Sequence, residues 1–287
     1  MIEQAFRKIY ADVGAGNLVS PRGQKVIEVE DYSYVLPPYA RFANFEARKL
    51  KLGYVKKELL WYLKAEPYDL SIVDAASLWQ ELPNPDGTIN SHYGAHVFGR
   101  EQHAMLGGVA INGSAYIAPK SIGSPLRATS QFDYVIATLL QDKDSRRASA
   151  TILNRTHLLS KDTKDYPCTY ALNFRIRNDE LKLSVHMRSQ DAVFGMGNDA
   201  PAFSVIQEMV FVTLRDLGYP TLKMGSYHHI ADSFHYYERH FEMVKAINAG
   251  SPFADIEMPK IKDSSEAAHL LGYTSTGAAE FTAWLNS

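Results

Sequence analysis

The clearest pattern in the chain lies between residues 169 and 187. In "TYALNFRIR", Tyr170, Leu172, Phe174 and Ile176 alternate with other positions. In "LKLSVHM", Leu181, Leu183, Val185 and Met187 do the same. Alternation with a period of two gives each strand one apolar face. The "NDE" between the two runs (178–180) predicts a tight hairpin turn. "KVIEVE" (25–30) and "MGSYHHIA" (224–231) read as further strands. Elsewhere the spacing is helical. "RKLKLGYVKKELLWYLKAE" (48–66) places Leu52, Val55, Leu59 and Tyr62 on one face. Helices are also predicted over "FDYVIATLL" (132–140), from Pro201 to Leu217, and over "FHYYERHFEMVKAINAG" (234–250), the last closed by Gly250. "LPNPDGTINSHYG" (82–94) is a loop by its Pro, Asn and Gly content. The elements are mixed without a regular βαβ rhythm. This predicts an α+β fold, one domain over 1–287, with a divergent and poorly defined C-terminal tail from about residue 251.

Composition narrows the class. The 287 residues are 46% hydrophobic and 22% charged, with a net charge of −2, which suits a globular chain and offers no basic surface for duplex nucleic acid. The N-terminal "MIEQAFRKIYADVG" has neither the apolar core of a signal peptide nor a membrane-length run. A single cysteine, Cys168, forms no internal disulfide, and a reducing, cytoplasmic setting is expected. "NRT" (154–156) matches a glycosylation sequon and carries little weight without a secretion signal.

The isolated chemical groups have ordinary readings. A lone cysteine is usually a small buried hydrophobe. His228 and His229 are adjacent and point to opposite faces of a strand, and the Cys, Asp and His spacings match no zinc pattern, so no metal is expected. "GMGND" (195–199) lacks the strand–turn–helix context of a dinucleotide fingerprint.

In order along the chain, however, "ELLWYL" (58–63), "SLWQEL", "INSHYG", "DSRR" (144–147), "PCTYALNF", "MRSQDAVFG" (187–195) and "SFHYYERH" (233–240) resemble the thymidylate synthase family. The match runs from about Arg22 to Lys245 and lies closest to the cytidylate 5-hydroxymethylase branch. The resemblance implies a mixed β-sheet flanked by helices and a sheet-to-sheet homodimer. It also implies a one-carbon transfer from methylenetetrahydrofolate to C5 of a pyrimidine nucleotide. C5 is a poor nucleophile, and a thiolate adding to C6 turns the ring into an enamine or enolate that attacks through C5. Cys168 is the candidate nucleophile, with Arg188 as the cation expected to lower its pKa. By resemblance Arg22, Arg188 and Ser189 from one subunit, with Arg146 and Arg147 from the other, hold the 5′-phosphate. Likewise His235 and Tyr237 hold the ribose, Glu58 organises water and protons, and Tyr93 assists loss of the C5 proton. Trp79, Asp191 and Gly195 contact the folate.

The substrate turns on one departure. Family members that act on uracil read N3–H and O4 with an asparagine, and alignment of "FGMGNDAPAF" puts Asp199 there. A protonated carboxyl donates to cytosine N3 and accepts from its amino group; an ionised one pairs with a ring protonated at N3. Either form predicts a cytidylate, dCMP or CMP. Asn198 precedes Asp199, and a slip of one position restores the uracil reading. Leu82 stands where the family often has a second tryptophan, and the tail does not align with the apolar closing segment of the methylating enzymes. Both features fit water, not hydride, as the final acceptor of the methylene group. The runner-up is a methylating synthase on dUMP. A third reading is a non-catalytic nucleotide- or RNA-binding homologue, against which the intact Cys168, Glu58, Arg188 and His235 argue. No membrane or nucleic-acid partner is expected for catalysis.

Overall fold

The computed structural model describes residues 1–99, 115–117, 126–128, 130–159 and 163–287. The helices are α1 (Ile2–Gly14), α2 (Leu52–Lys64), α3 (Ser77–Gln80), α4 (Tyr93–Phe98), α5 (Gln131–Gln141), α6 (Arg155–Leu159), α7 (Phe194–Leu217), α8 (Phe241–Asn248), α9 (Ser264–Leu270) and α10 (Glu280–Leu285). The strands are β1 (Asn17–Val19), β2 (Val26–Leu36), β3 (Ala115–Ile117), β4 (Leu126–Ala128), β5 (Ser149–Thr151), β6 (Thr169–Arg177), β7 (Glu180–Asp191) and β8 (Lys223–Tyr237). Six strands form one mixed sheet in the order β1-β2-β8-β7-β6-β5, with β7 and β8 parallel and the other pairs antiparallel. β3 and β4 pair separately.

The hairpin forms as the alternation predicts. Asn178 and Asp179 both take φ of 55°, the left-handed pair that a two-residue turn between twisted strands requires. Leu172, Phe174, Ile176, Leu181, Leu183, Val185 and Met187 are all buried. Tyr170 departs from that face and is 38% exposed. The register shifts between Thr169 and Ala171, and this bulge turns Tyr170 outward and buries Thr169 instead.

Three other elements differ from the pattern. α2 starts at Leu52, because Lys49 is left-handed (φ 52°) and residues 46–48 form a separate 3₁₀ turn. α7 begins well before Pro201 and carries that proline inside it. Its entry is fixed from outside the helix: Asp191 Oδ1 accepts from the Val193 amide at 2.8 Å, and the buried Arg48 donates to the Val193 carbonyl at 3.1 and 3.0 Å. Only glycine at 197 permits this, since a Cβ there would sit 1.6 Å from the Arg48 guanidinium. The predicted helix over 234–250 is strand as far as Tyr237, because Phe234 and Tyr236 pair with Val29 and Ile27 of β2. The helix itself spans Phe241–Asn248.

The segment after residue 251 is not patternless. Met258 and Ile261 are buried, and Glu266, fully buried, accepts from the Thr282 amide and hydroxyl at 2.9 Å each, so α9 caps the start of α10. Phe281 and Leu285 are buried, with α10 packed on α2 and α9 on α7. No helix among the described residues is long and apolar enough to cross a membrane.

Candidate active site

Cys168 precedes β6, and its neighbours come from three directions. Its backbone N–H donates to the Tyr93 hydroxyl at 3.2 Å, and its carbonyl accepts from the Arg188 amide at 2.8 Å. The Arg188 guanidinium donates to the Pro167 and Tyr166 carbonyls at 3.1 and 2.7 Å. The cation expected beside the thiol is therefore in place, and it does pull the thiol pKa down. Burial outweighs it, with Asp199 and Asp165 adding to the rise, so the Cys168 pKa is raised instead of lowered. In the free protein this environment favours the thiol form of Cys168.

Tyr93 opens α4, and α4 lies tight on α2. A Cβ at Gly94 would sit 2.0 Å from the Tyr62 carbonyl oxygen, so glycine is what allows the approach. The loop before Tyr93 is tied to the approach to Cys168, with the Ser91 amide and the Asn90 side chain donating to Asp165 at 2.6 and 2.8 Å. The Tyr93 ring stacks on Phe203 of α7 at 5.8 Å.

Glu58 sits on the buried side of α2 and accepts from the Tyr54 hydroxyl at 3.1 Å. Tyr54 in turn accepts from Trp79 Nε1 at 2.8 Å. Burial first, and the charge of Asp199 second, push the Glu58 carboxyl up to about 8. Asp199 lies in the first turns of α7. Its Oδ2 accepts from the Gln190 amide at 3.0 Å. Burial pushes it up to about 7, with Asp191 adding to the rise and Gln190 opposing it. Its charge is felt at Cys168, Tyr93 and Glu58, so one carboxyl couples all three. Asn198, one position earlier on an α-helix, points about 100° away from it.

The other candidate residues form two flanks. On one, Asp191 pairs with His235 across β7 and β8, and His235 meets the Tyr237 ring edge-on at 5.1 Å. The Tyr237 phenol feels Asp191, Cys168 and Arg22, which places Arg22 at this end of the sheet. Ser189 pairs with Ser233, whose hydroxyl donates to Glu28 and meets His235 Nδ1 at 3.2 Å. On the other flank Gly195 lies against Gln190 and Asp199, with 3.6 Å from its ideal Cβ position to Asp199 Oδ2. Arg146 and Arg147 stand apart, both exposed, on the turn before edge strand β5. No ion pair holds either one among the described residues.

Residues 20–276 match the sequence profile of the thymidylate synthase family. The chain belongs to that family. Members transfer a one-carbon unit to C5 of a pyrimidine nucleotide and use methylenetetrahydrofolate as co-substrate. The chain is 28% identical over 234 residues to the deoxycytidylate 5-hydroxymethyltransferases of enterobacteria phages T6 and T4, covering 79% of this chain and 82% of theirs. It is 28% identical over 226 residues to the deoxyuridylate hydroxymethyltransferase of Bacillus phage SP01, covering 77% of this chain and 53% of that one. It is 24% identical over 221 residues to the thymidylate synthase of Bacillus atrophaeus, covering 75% and 85%.

Three residues at the site escape a reading of motifs alone: Tyr54, Tyr34 and Gln190. Tyr54 is one helical turn before Glu58, a spacing that puts the two side by side. Gln190 lies inside the "RSQD" motif, and its polar side chain is 2% exposed. Tyr34, distant in sequence, gives no local signal.

Proposed function

We propose that this thymidylate synthase-family enzyme converts a cytidylate, dCMP or CMP, to its 5-hydroxymethyl derivative, with water completing the reaction. The observation that carries this is Asp199: an acid, not an amide, held beside Cys168, Tyr93 and Glu58, and kept protonated into the neutral range by burial. As a neutral acid it donates to cytosine N3 and accepts from the amino group. Uracil presents the reversed edge. The deoxycytidylate relatives support this reading, while the SP01 deoxyuridylate relative keeps a uridylate as the second one.

In this scheme Arg22, Arg188 and Ser189 hold the phosphate, with Arg146 and Arg147 supplied by a second subunit. Their exposure, away from the cluster, supports a shared site in a homodimer. The outward face of the sheet supports it too, since Val35 and Tyr170 are 56% and 38% exposed there. His235 and Tyr237 hold the ribose. We read 1–287 as one domain, with the tail packed behind α2.

The folate fits the remaining residues. Asp191 Oδ1 is taken by the Val193 amide, and its Oδ2 has no hydrogen-bond partner among the described residues, so it is free to accept from pterin N–H groups. Trp79, the aromatic residue assigned to the folate, is held through its indole N–H by Tyr54 and is 7% exposed. When bound, the folate supplies the one-carbon unit as an electrophilic methylene group. Cys168 Sγ bonds to C6 as its proton leaves, and C5 gains the new carbon; with Tyr93 assisting loss of the C5 proton, the bond from that carbon to the folate nitrogen breaks, which releases tetrahydrofolate and leaves the exocyclic methylene group. Water then adds to the exocyclic methylene, Glu58 handles the proton of that water, and the Sγ–C6 bond breaks to release enzyme and product.

Mass spectrometry of products formed from methylenetetrahydrofolate with dCMP, CMP or dUMP in separate tubes tests the proposal. A hydroxymethyl gain on a cytidylate alone is expected. A methyl gain on dUMP would overturn it and make Asn198 the base reader.

A further inference from the structure

Asp199 does not stand alone. Its Oδ2 accepts from Gln190 Nε2 at 3.0 Å, and Gln190 Oε1 accepts from the Tyr34 hydroxyl at 3.1 Å. Gln190 and Tyr34 are 2% and 6% exposed. Tyr34 is fixed in turn. Its ring stacks on His229 with centroids 5.0 Å apart and planes 2° from parallel, and packs against Phe234 at 5.7 Å. His229 Nδ1 meets the Tyr227 hydroxyl at 2.6 Å. The relay runs across β2, β8 and β7 into the start of α7, all rigid elements with well-formed pairing.

An amide has a donor end and an acceptor end, and here the donor end faces the carboxyl. Oδ2 is thereby committed as an acceptor. When Asp199 is neutral, its proton then belongs on Oδ1. The opposite placement, with the proton on Oδ2, would bring an O–H against the N–H of Gln190. The two placements are not equivalent to a pyrimidine. With Oδ1–H facing ring N3 and Oδ2 facing position 4, the acid matches cytosine. With the proton on Oδ2 it would match the N3–H and O4 of uracil. A carboxyl without a fixed neighbour could adopt either form and would discriminate poorly.

We propose that Gln190 is a positioning residue that selects between these two forms of Asp199 and so enforces the preference for a cytosine edge, with Tyr34 locking the amide the right way round. The inference rests on Asp199 being the base reader. It goes beyond that reading because it assigns the specificity to a group that does not touch the base. A lost neutral hydrogen bond of this kind changes an equilibrium by about tenfold.

The test compares Gln190→Met, Tyr34→Phe and Asp199→Asn with the wild type. It reads kcat/KM for dCMP and dUMP as a ratio, its pH profile, and the binding of each nucleotide without folate. Gln190→Met should lower the dCMP:dUMP ratio about tenfold, through better dUMP binding as well as weaker dCMP binding. It should also move the Asp199 limb of the pH profile upward, since the amide donor favours the ionised acid. Tyr34→Phe, which leaves Gln190 in place, should shift both quantities in the same direction by less. A purely structural role would lower both substrates alike and leave the ratio and the limb where they are, and that result in both variants would overturn the proposal. If Asp199→Asn itself leaves the ratio unchanged, the base-reader reading fails and the proposal falls with it. If Asp199→Asn switches the ratio while Gln190→Met and Tyr34→Phe do not, only the positioning role is lost.

Discussion

Helix α7 carries two buried carboxyl groups in opposite company. Glu208, 1% exposed, faces Arg41 in an ion pair, and its second oxygen accepts from the Ile261 amide at 3.2 Å. Burial raises its pKa and Arg41 pulls it back. Asp199, two and a half turns earlier, meets no cation among the described residues and accepts from the Gln190 amide. Glu58 accepts from the Tyr54 phenol and likewise meets no cation among them. Burial raises all three, and among the described residues only Glu208 has a cation to oppose it. Its ion pair with Arg41 and its bond from Ile261 tie the C-terminal segment to the core. The unpaired groups store protons at the pH where the chemistry runs.

Four sets of variants test this contrast. The largest effect is on the chemistry itself: Cys168→Ala should lower turnover at least about 10⁴-fold. Its melting temperature should move little, because the substitution removes a single atom and keeps the backbone hydrogen bonds of Cys168. Mixing it with Arg147→Ala should restore about a quarter of the wild-type rate through hybrid dimers, read by steady-state assay. Failure of every such mixture, with both proteins folded, would remove the shared site.

Arg41→Met comes next. It leaves Glu208 buried without its cation, and urea denaturation should show a loss of about 3–5 kcal/mol. Adding Glu208→Met should recover most of that loss, because two apolar groups carry no desolvation cost. No such pairwise recovery is expected at Asp199, where there is no ion pair to dissolve.

Asp199→Asn should cut kcat/KM for dCMP about 100-fold, the effect of a reversed hydrogen-bond edge. It should not destabilise the fold above pH 7, where the wild type carries a buried charge at this position.

The most specific effect is in the pH dependence. The Glu58 carboxyl has a pKa of 4.5 in its ordinary state and about 8 in the fold. Between those values the folded chain holds a proton that the unfolded chain has released. Glu58 therefore contributes most at low pH, and its contribution is lost as pH rises through about 8. Glu58→Gln removes this titration, so its stability advantage over the wild type should widen from about pH 5 to about pH 8 in thermal melts and level off above that. A gap that stays constant would mean the carboxyl is ionised throughout.

How much of this was legible in the sequence depended on where the information sits. The β6–β7 hairpin and the α2 and α5 helices were readable because local periodicity and long-range packing agree there. The start of α7 was not, because Pro201 looks locally like a helix opening. The true start is set by Arg48 and Asp191, one distant in sequence and one in the preceding strand. The segment 234–237 has helical character locally but is held as strand by β2. At the site, Cys168, Tyr93, Glu58 and Asp199 were visible as motif residues. The raised thiol pKa was not, because it reflects burial, which spacing does not reveal. The Tyr34–Gln190 relay spans three strands and has no sequence pattern at all.

With a neutral Asp199 as base reader, the proposed substrate is a cytidylate, and water, not hydride, ends the reaction. The most direct measurement is a single competition reaction with equal dCMP and dUMP, methylenetetrahydrofolate and heavy-oxygen water, followed by mass spectrometry of both nucleotides. The expected result is a 5-hydroxymethyl group carrying heavy oxygen on the cytidylate and an unchanged uridylate. A methyl group on the uridylate, with no heavy oxygen in either product, would contradict it.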